Sequence, residues 1–377
     1  MGYVGRCDLN PPLAFDHQEK QFARAFAILR QAVADRAFPG ATLAVTHRGS
    51  LIASQAFGRF TYDDDAPPVE RDTVYDLASL TKAVATTMTA ILLHERGRLA
   101  LDAPLAAFLP EFVTLAPKHQ QPAREAVTIR MILAHSSGLP AYEKLFEFAS
   151  SRADLVRSAL TTPLAAAPYT RATYSDIGFI LLGEVLAKQA GLGLDLFARQ
   201  EVFTPLGMAR TRFTPPPEWK TNIPPTEDDQ KFRKRVIQGE VNDENAYVMG
   251  GVAGHAGLFA PATDIATFAE CMLRGGAPIL TSGAVKLFTH REPSPPGTTR
   301  ALGWDTPSIT GSSAGRLFSS ASFGHLGFTG TSLWIDPGRR LSVTLLTNRT
   351  WPNRASQWIR QLRPQLHDAI VEALDEK

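Results

Sequence analysis

Strand-forming runs stand at the two ends of this 377-residue chain, and helical patterning fills most of the interval. Near the start, Ala41-Thr42-Leu43-Ala44-Val45-Thr46 and Leu51-Ile52-Ala53-Ser54-Gln55-Ala56-Phe57 flank Arg48-Gly49-Ser50. Two β-prone runs joined by a short glycine-bearing link predict a hairpin. Near the end, Gly330-Thr331-Ser332-Leu333-Trp334-Ile335 and Leu341-Ser342-Val343-Thr344-Leu345-Leu346 enclose Asp336-Pro337-Gly338-Arg339-Arg340, a turn by composition. A helix over 16–37 precedes the hairpin, with Phe22, Phe26, Leu29 and Val33 at helical spacing and Pro39-Gly40 as its stop. A last helix covers roughly 355–375. Antiparallel strands from both ends in one sheet, with helices beside it, make an α+β fold.

Between these ends, a helix is expected over 79–97, and residues 127–210 read as mostly helical, including the apolar run Phe179-Ile180-Leu181-Leu182. Asp264 is expected to cap a helix through about Leu273. Residues 214–245, rich in proline, charge and amide groups, read as a long surface excursion covering a site. The expected division is an α/β lobe from 1–78 and 260–377 and a mainly helical lobe from 79–259. A cleft between lobes is a usual place for a site.

Composition excludes several classes of function. Hydrophobic residues make up 44% of the chain and charged residues 20%, so a substantial core can form without staples. A net charge of +2 selects neither nucleic acid nor an anionic membrane. No apolar run approaches the length of a membrane span. The two cysteines, Cys7 and Cys271, stand apart, so a disulfide framework and a cysteine metal site are not expected. Met1-Gly2-Tyr3-Val4-Gly5-Arg6-Cys7 lacks an apolar signal core, and Arg6 stands where a myristoylation site wants Ser or Thr. As written, the chain is expected in the cytoplasm, or in the periplasm or outside the cell if a leader has been removed.

The chemistry concentrates in Ser79-Leu80-Thr81-Lys82, at the start of a small-residue and apolar run (Ala83 to Leu93). Positions i and i+3 share a helix face, which lets the amine reach the hydroxyl. An unaided serine hydroxyl is a poor nucleophile and needs a base. Lysine serves when burial or positive potential lowers its pKa, and a helix N-terminus supplies some of that potential. No other serine in the chain has a lysine three positions later. Two further stretches matter. Tyr174-Ser175-Asp176 opens a helix near Ile177, where a phenolate would be favoured for proton shuttling, with Ser175 or Asp176 as the cap. Phe323-Gly324-His325-Leu326-Gly327-Phe328 precedes a strand whose edge could hold substrate main chain and offer an N–H to an oxyanion. Its glycines permit a close approach of backbone to ligand.

In that order, S-x-x-K, Y-x-D and H-L-G resemble the three motifs of the penicillin-recognising serine hydrolases, in particular the class C β-lactamase-like branch. That branch includes β-lactamases, D-alanyl-D-alanine carboxypeptidases, D-aminopeptidases and esterases. The likeness extends to Ala134-His135-Ser136-Ser137-Gly138-Leu139-Pro140, Pro205-Leu206-Gly207-Met208 and Gly250-Gly251-Val252-Ala253-Gly254-His255-Ala256-Gly257-Leu258-Phe259. The resemblance implies Ser79 as acylated nucleophile, Lys82 as its base and Tyr174 as proton relay. It implies the N–H groups of Ser79 and Phe328 as oxyanion hole, and Asp176, His325 and Gly327 at the substrate. It implies no cofactor and no metal, and a small acyl substrate: an ester, a β-lactam or a D-peptide.

Three positions depart from the family pattern. Asp176 replaces the usual asparagine; an ionised carboxylate accepts hydrogen bonds but does not donate, and it favours a charged Lys82. His325 replaces the common lysine and is mostly neutral at pH 7. Leu326 removes a threonine hydroxyl. All three point away from anionic β-lactams and toward esters, so a carboxylesterase is the expected activity. A β-lactamase or D-amino-acid peptidase is the alternative, and a non-catalytic binder of peptidoglycan-like peptides the rival of another class. His255 is read as packing rather than as a general base, and His135 as a helix-terminal or core histidine. Gly311-Ser312-Ser313-Ala314-Gly315 matches G-x-S-x-G but lacks the strand before and helix after that a nucleophile elbow needs.

Overall fold

The computed structural model describes residues 17–375; the N-terminal stretch weighed above, with Cys7, lies outside them. In chain order the main elements are α1 (Ala23–Ala34), β1 (Gly40–His47), β2 (Ser50–Gly58), α2 (a π-helical stretch Lys82–Thr87 continued by Met88–Glu95), α3 (Asp176–Ala190), α4 (Ala262–Leu273), β3 (Phe323–Leu326), β4 (Ser332–Asp336), β5 (Leu341–Thr347) and α5 (Ile359–Asp375). The five strands form one sheet in the order β2-β1-β5-β4-β3, each neighbouring pair antiparallel. The first hairpin therefore sits beside the last one, with Leu43 opposite Leu345 and Val45 opposite Val343.

Alternation along the strands explains the layers. Leu43, Val45, Val343 and Leu345 point to the face covered by α1 and α5, where they meet Phe26, Leu366 and Ile370. Ala44, Leu333, Ile335 and Leu346 point to the other face and join the core that contains α4 and the helical middle of the chain. The fold is α+β, with helices on both sides of an antiparallel sheet. Among the described residues, no single helix is long and apolar enough to cross a membrane.

The hairpin between β1 and β2 forms as its sequence predicts. His47 pairs with Ser50, leaving Arg48 (φ 52°) and Gly49 (φ 87°) as a two-residue loop. Positive φ at both positions is the type I′ turn, which matches the strand twist. Other expectations need correction. The helix over 16–37 is broken at Phe22 (φ −105°, ψ 26°) into Gln18–Gln21 and α1. The helix expected from 79 to 97 ends at Glu95, and Ser79 lies in the turn before it. The stretch 127–210 holds Ile129–Leu133, Arg152–Thr161 and α3, but 134–150 and 162–175 are mainly loop. Asp264 is inside α4 rather than at its cap, and its carboxylate accepts from the Arg210 N–H and the Thr211 hydroxyl. The excursion 214–245 is anchored: Ile223, Ile237 and Val241 are buried, and Glu227–Asp229 pairs with Arg235–Ile237. α5 begins at Ile359, later than the expected 355.

Candidate active site

Ser79 follows Ala78, which holds φ at 47°, a conformation costly for any residue with a Cβ. Asp76 stabilises this turn by accepting the Ala78 N–H on Oδ1 at 2.8 Å, while its Oδ2 accepts the Asn242 N–H at 2.6 Å. The widened π turn begins at Lys82, and such insertions recur at functional sites. Although Ser79 is outside the helix, Lys82 Nζ reaches its Oγ at 3.0 Å.

Lys82 is fully buried. Its ammonium position is fixed by the Asp176 carboxylate at 2.6 Å and the His255 carbonyl at 3.0 Å, with the Tyr174 ring centroid 4.8 Å away. Burial lowers the Lys82 pKa; Asp176 and Asp243 oppose that, and Arg300 adds to it. A lowered pKa is what a lysine base requires.

α3 starts behind this lysine. Ser175 is its N-cap, accepting the Gly178 N–H at 3.1 Å, and Asp176 is its first residue. Such a cap contributes about 1 kcal/mol. His135 supports the same turn: its Nδ1 accepts the Ser175 N–H at 3.0 Å and its ring lies 4.7 Å from that of Tyr174. The structure thus makes His135 a buried support for Tyr174. Tyr174 lines the same cavity as Ser79, and burial raises its pKa well above 10, helped by Asp176. The expectation of a favoured phenolate is corrected: desolvation outweighs the helix N-terminus, and Tyr174 is a phenol.

The opposite wall is β3 and the loop after it. β3 is the edge strand of the sheet, so Phe323–Leu326 is itself a strand and does not merely precede one. His325 is 2% exposed. Its Nδ1 lies 2.8 Å from the Leu326 carbonyl, so Nδ1 carries the proton and Nε2 is an acceptor. Burial, then Lys82, hold its pKa down at about 3; it is neutral, as its sequence context suggests. The loop is sewn onto the strand that leads to Ser79, with Thr329 Oγ1 donating to the Asp76 carbonyl at 2.8 Å and Thr331 Oγ1 to the Leu77 carbonyl at 2.9 Å. Gly327 is required for this approach: a Cβ there would collide with Thr331 and Leu77. Its small size serves the protein's own backbone, where the sequence suggested a ligand.

These walls enclose a cavity of about 790 Å³. Ser79, Tyr174, Asp176, His325, Gly327 and Phe328 all line it, and Lys82 sits beneath Ser79. Sequence reasoning missed Asn242, Asp243 and Arg300, which also line it. Asp243 binds His255 Nε2 at 2.8 Å and caps the helix Glu244–Val248 by accepting the Ala246 N–H at 2.7 Å. Burial alone would raise its pKa, but His255 and that N–H outweigh it and hold it at about 2. His255 is 1% exposed and serves Lys82 through its carbonyl, which agrees with packing rather than base catalysis. Ser313 borders the cavity from a loop with neither strand nor helix flanking it, and its carbonyl is bound by His367 Nδ1 at 2.8 Å. The elbow geometry is absent. Among the described residues no group of three or more His, Cys, Asp or Glu could hold a metal.

Comparison with known proteins agrees with this geometry. The Beta-lactamase family profile matches residues 25–364. An N-acetylmuramyl-L-alanine amidase of Bacillus subtilis (strain 168) is 33% identical over 347 residues, covering 83% of this chain and 77% of the amidase. EstCE1, described as a hydrolase with promiscuous acyltransferase activity, superposes with a TM-score of 0.73 at 20% identity, covering 93% of this chain and 99% of its own. A penicillin-binding protein homologue from Caulobacter crescentus gives 0.72 at 20% identity, covering 94% and 97%. At such identities the two structures speak for the fold alone. Because the matched span runs from α1 to α5 and includes every segment of the cavity wall named above, the chain belongs to the beta-lactamase family and is a serine hydrolase of that fold.

Proposed function

We propose that the protein is a carboxylesterase working through an acyl-enzyme on Ser79. The observation that carries the reading is Lys82 Nζ at 3.0 Å from Ser79 Oγ, fully buried, with Tyr174 in the wall of the same cavity. Neutral Lys82 takes the Ser79 proton as Oγ attacks the ester carbonyl. Negative charge builds on the carbonyl oxygen, opposite the backbone N–H groups of Ser79 and Phe328. Collapse breaks the bond to the leaving oxygen. Tyr174, a phenol because of its raised pKa, donates the proton that this oxygen needs and recovers one from the Lys82 ammonium. Water then attacks the acyl-enzyme with the same groups acting in reverse.

Asp176 favours esters. Its carboxylate grips Lys82 and has no proton to give an acyl-amide carbonyl. His325, neutral and presenting an acceptor, adds no positive charge for a lactam carboxylate. The second reading is hydrolysis of an amide, supported by the amidase relative from Bacillus subtilis. A parallel rate panel of nitrophenyl esters, a chromogenic cephalosporin and D-alanyl peptides tests the choice. The proposal expects the esters to lead. Faster turnover of the peptides would replace it by the amidase reading, and no acylation by any donor would leave a binding protein.

A further inference from the structure

One end of the cavity is built from the chain after β5. Arg349, Arg354, Arg360 and Arg363 all line it. Arg349 and Arg354 lie over the Phe328 ring at 4.7 and 5.5 Å, so the group stands directly beyond the oxyanion loop. Arg363 Nη2 donates to the Gly327 carbonyl at 3.2 Å and the Thr331 carbonyl at 2.7 Å, fixing it to the same loop.

The charges here do not balance. Each carboxylate that lines the cavity has a cation or histidine of its own: Asp176 with Lys82, Asp243 with His255, Glu244 with Arg354, Asp305 with Arg300. Arg354 is shared further with Glu227. Among the described residues, no carboxylate forms an ion pair with Arg349, Arg360 or Arg363. Arg349 and Arg363 are each only 5% exposed, and Arg363 Nε is buried with no hydrogen-bond partner. Buried charges are ordinarily paired, because desolvation is costly. Burial and mutual repulsion lower both: Arg363 falls to about 9, pushed by burial and then by Arg349 and Arg360, and Arg349 is lowered by burial, Arg360 and Arg354. Three guanidiniums close enough to repel one another, two of them out of water, make a site whose missing component is negative.

We infer that Arg349, Arg360 and Arg363 form a subsite for a multiply charged anionic group on the substrate, a carboxylate-rich or phosphate-bearing tail lying beyond Phe328. This deepens the hydrolase reading and rests on it. It also reverses one expectation from the sequence. The third motif does lack a cation for an anionic substrate, but the C-terminal segment brings three. Guanidinium forks suit such oxyanions because they bind them bidentately.

The test compares kcat/KM for a neutral nitrophenyl butyrate with two doubly charged analogues, the nitrophenyl monoester of tricarballylate and an acetate ester of a hydroxyphthalate. These place the charge on the acyl and the leaving side respectively. Inorganic phosphate and free glutarate are run as competitors, to separate the two kinds of oxyanion. The wild type should favour at least one charged ester, and at least one of the two anions should compete. Arg360→Gln, at an exposed position that the fold tolerates, should lower the charged-to-neutral ratio roughly 10-fold, through KM rather than kcat, as loss of one charge-assisted hydrogen bond implies. Arg349→Gln should lower it further, and Arg360→Lys should restore part of it. Equal or lower kcat/KM for both charged esters in the wild type overturns the inference, as does a ratio unchanged in Arg360→Gln. Either result with Ser79-dependent turnover of the neutral ester intact leaves the hydrolase reading standing.

Discussion

Asp176→Asn probes the coupling between the departure from the family motif and the base. The carboxylate lies 2.6 Å from Lys82 Nζ. At that distance two unit charges attract by roughly 6 kcal/mol in a medium of effective dielectric about 20. Desolvation of Lys82 opposes this attraction and is the largest influence on the lysine, whose pKa is lowered. The substitution keeps the shape and leaves the ammonium a hydrogen bond to an amide oxygen in place of an ion pair, a net difference of about 1–2 kcal/mol. With less to hold the ammonium, Lys82 becomes a free amine at lower pH. The acid limb of kcat/KM for a nitrophenyl ester should therefore move down by about one pH unit. The new amide also offers an N–H toward an acyl-amide carbonyl, so the rate on a chromogenic cephalosporin relative to the ester should rise. The assay is the pH profile of kcat/KM for both substrates in both proteins. A limb that stays in place or moves upward, with an unchanged cephalosporin-to-ester ratio, refutes the reasoning.

Further outcomes follow from the surrounding structure. Gly327→Ala puts a methyl group against Thr331 and Leu77 and displaces Phe328; kcat should fall about 100-fold, the scale of a lost oxyanion donor, while circular dichroism stays native. Asp76, fully buried, is pushed by burial from 3.8 to about 6. The folded state thus holds its proton more tightly than the unfolded state, and its ionisation removes stability as pH rises from about 4 to about 6. Asp76→Asn should flatten that slope in melting temperature measured against pH, and should cost roughly 10-fold in kcat because one of two N–H groups loses its acceptor. Asp229 goes the other way: burial raises it, but the N–H groups of Phe232, Arg233 and Lys231 outweigh burial and bring it to about 2. Its contribution is complete above about 4 and is lost as pH falls through about 2. Asp229→Asn should destabilise by about 1–3 kcal/mol at pH 7 in urea, and by progressively less as pH falls from 4 toward 2.

What could be read from the chain follows the range of the interactions involved. Ser79 and Lys82 were legible because one turn of backbone brings them together, even though the turn belongs to a helix entry and a π stretch. The β1–β2 hairpin was legible because Arg48-Gly49 determines its own loop. Tyr174, His325 and Phe328 were placed by their order along the chain, and the structure gathers them around one cavity. Elsewhere local pattern lost to tertiary demands. Phe22 has the spacing of a continuous helix, yet the helix breaks there. Asp264 looked like a cap and instead holds Arg210 and Thr211, more than fifty residues away. The phenolate expected at Tyr174 depended on its exposure, which no spacing reports. Asp243 lay in a stretch whose polar composition suggested solvent, while Ile223 and Val241 anchor that stretch in the core. Arg349, Arg360 and Arg363 have no recognisable spacing in the chain: Arg349 follows the end of β5, and the packing of α5 against the sheet brings Arg360 and Arg363 to the same cleft.

Covalent chemistry at Ser79 is the step on which the proposed hydrolysis depends. Intact mass of the protein after brief exposure to a reactive nitrophenyl ester and an acid quench, followed by peptide mapping, measures it directly. A single acyl group on the peptide containing Ser79, present in the wild type and absent from Ser79→Ala, is the predicted result. An adduct that survives Ser79→Ala, or one that maps to Ser313, contradicts it.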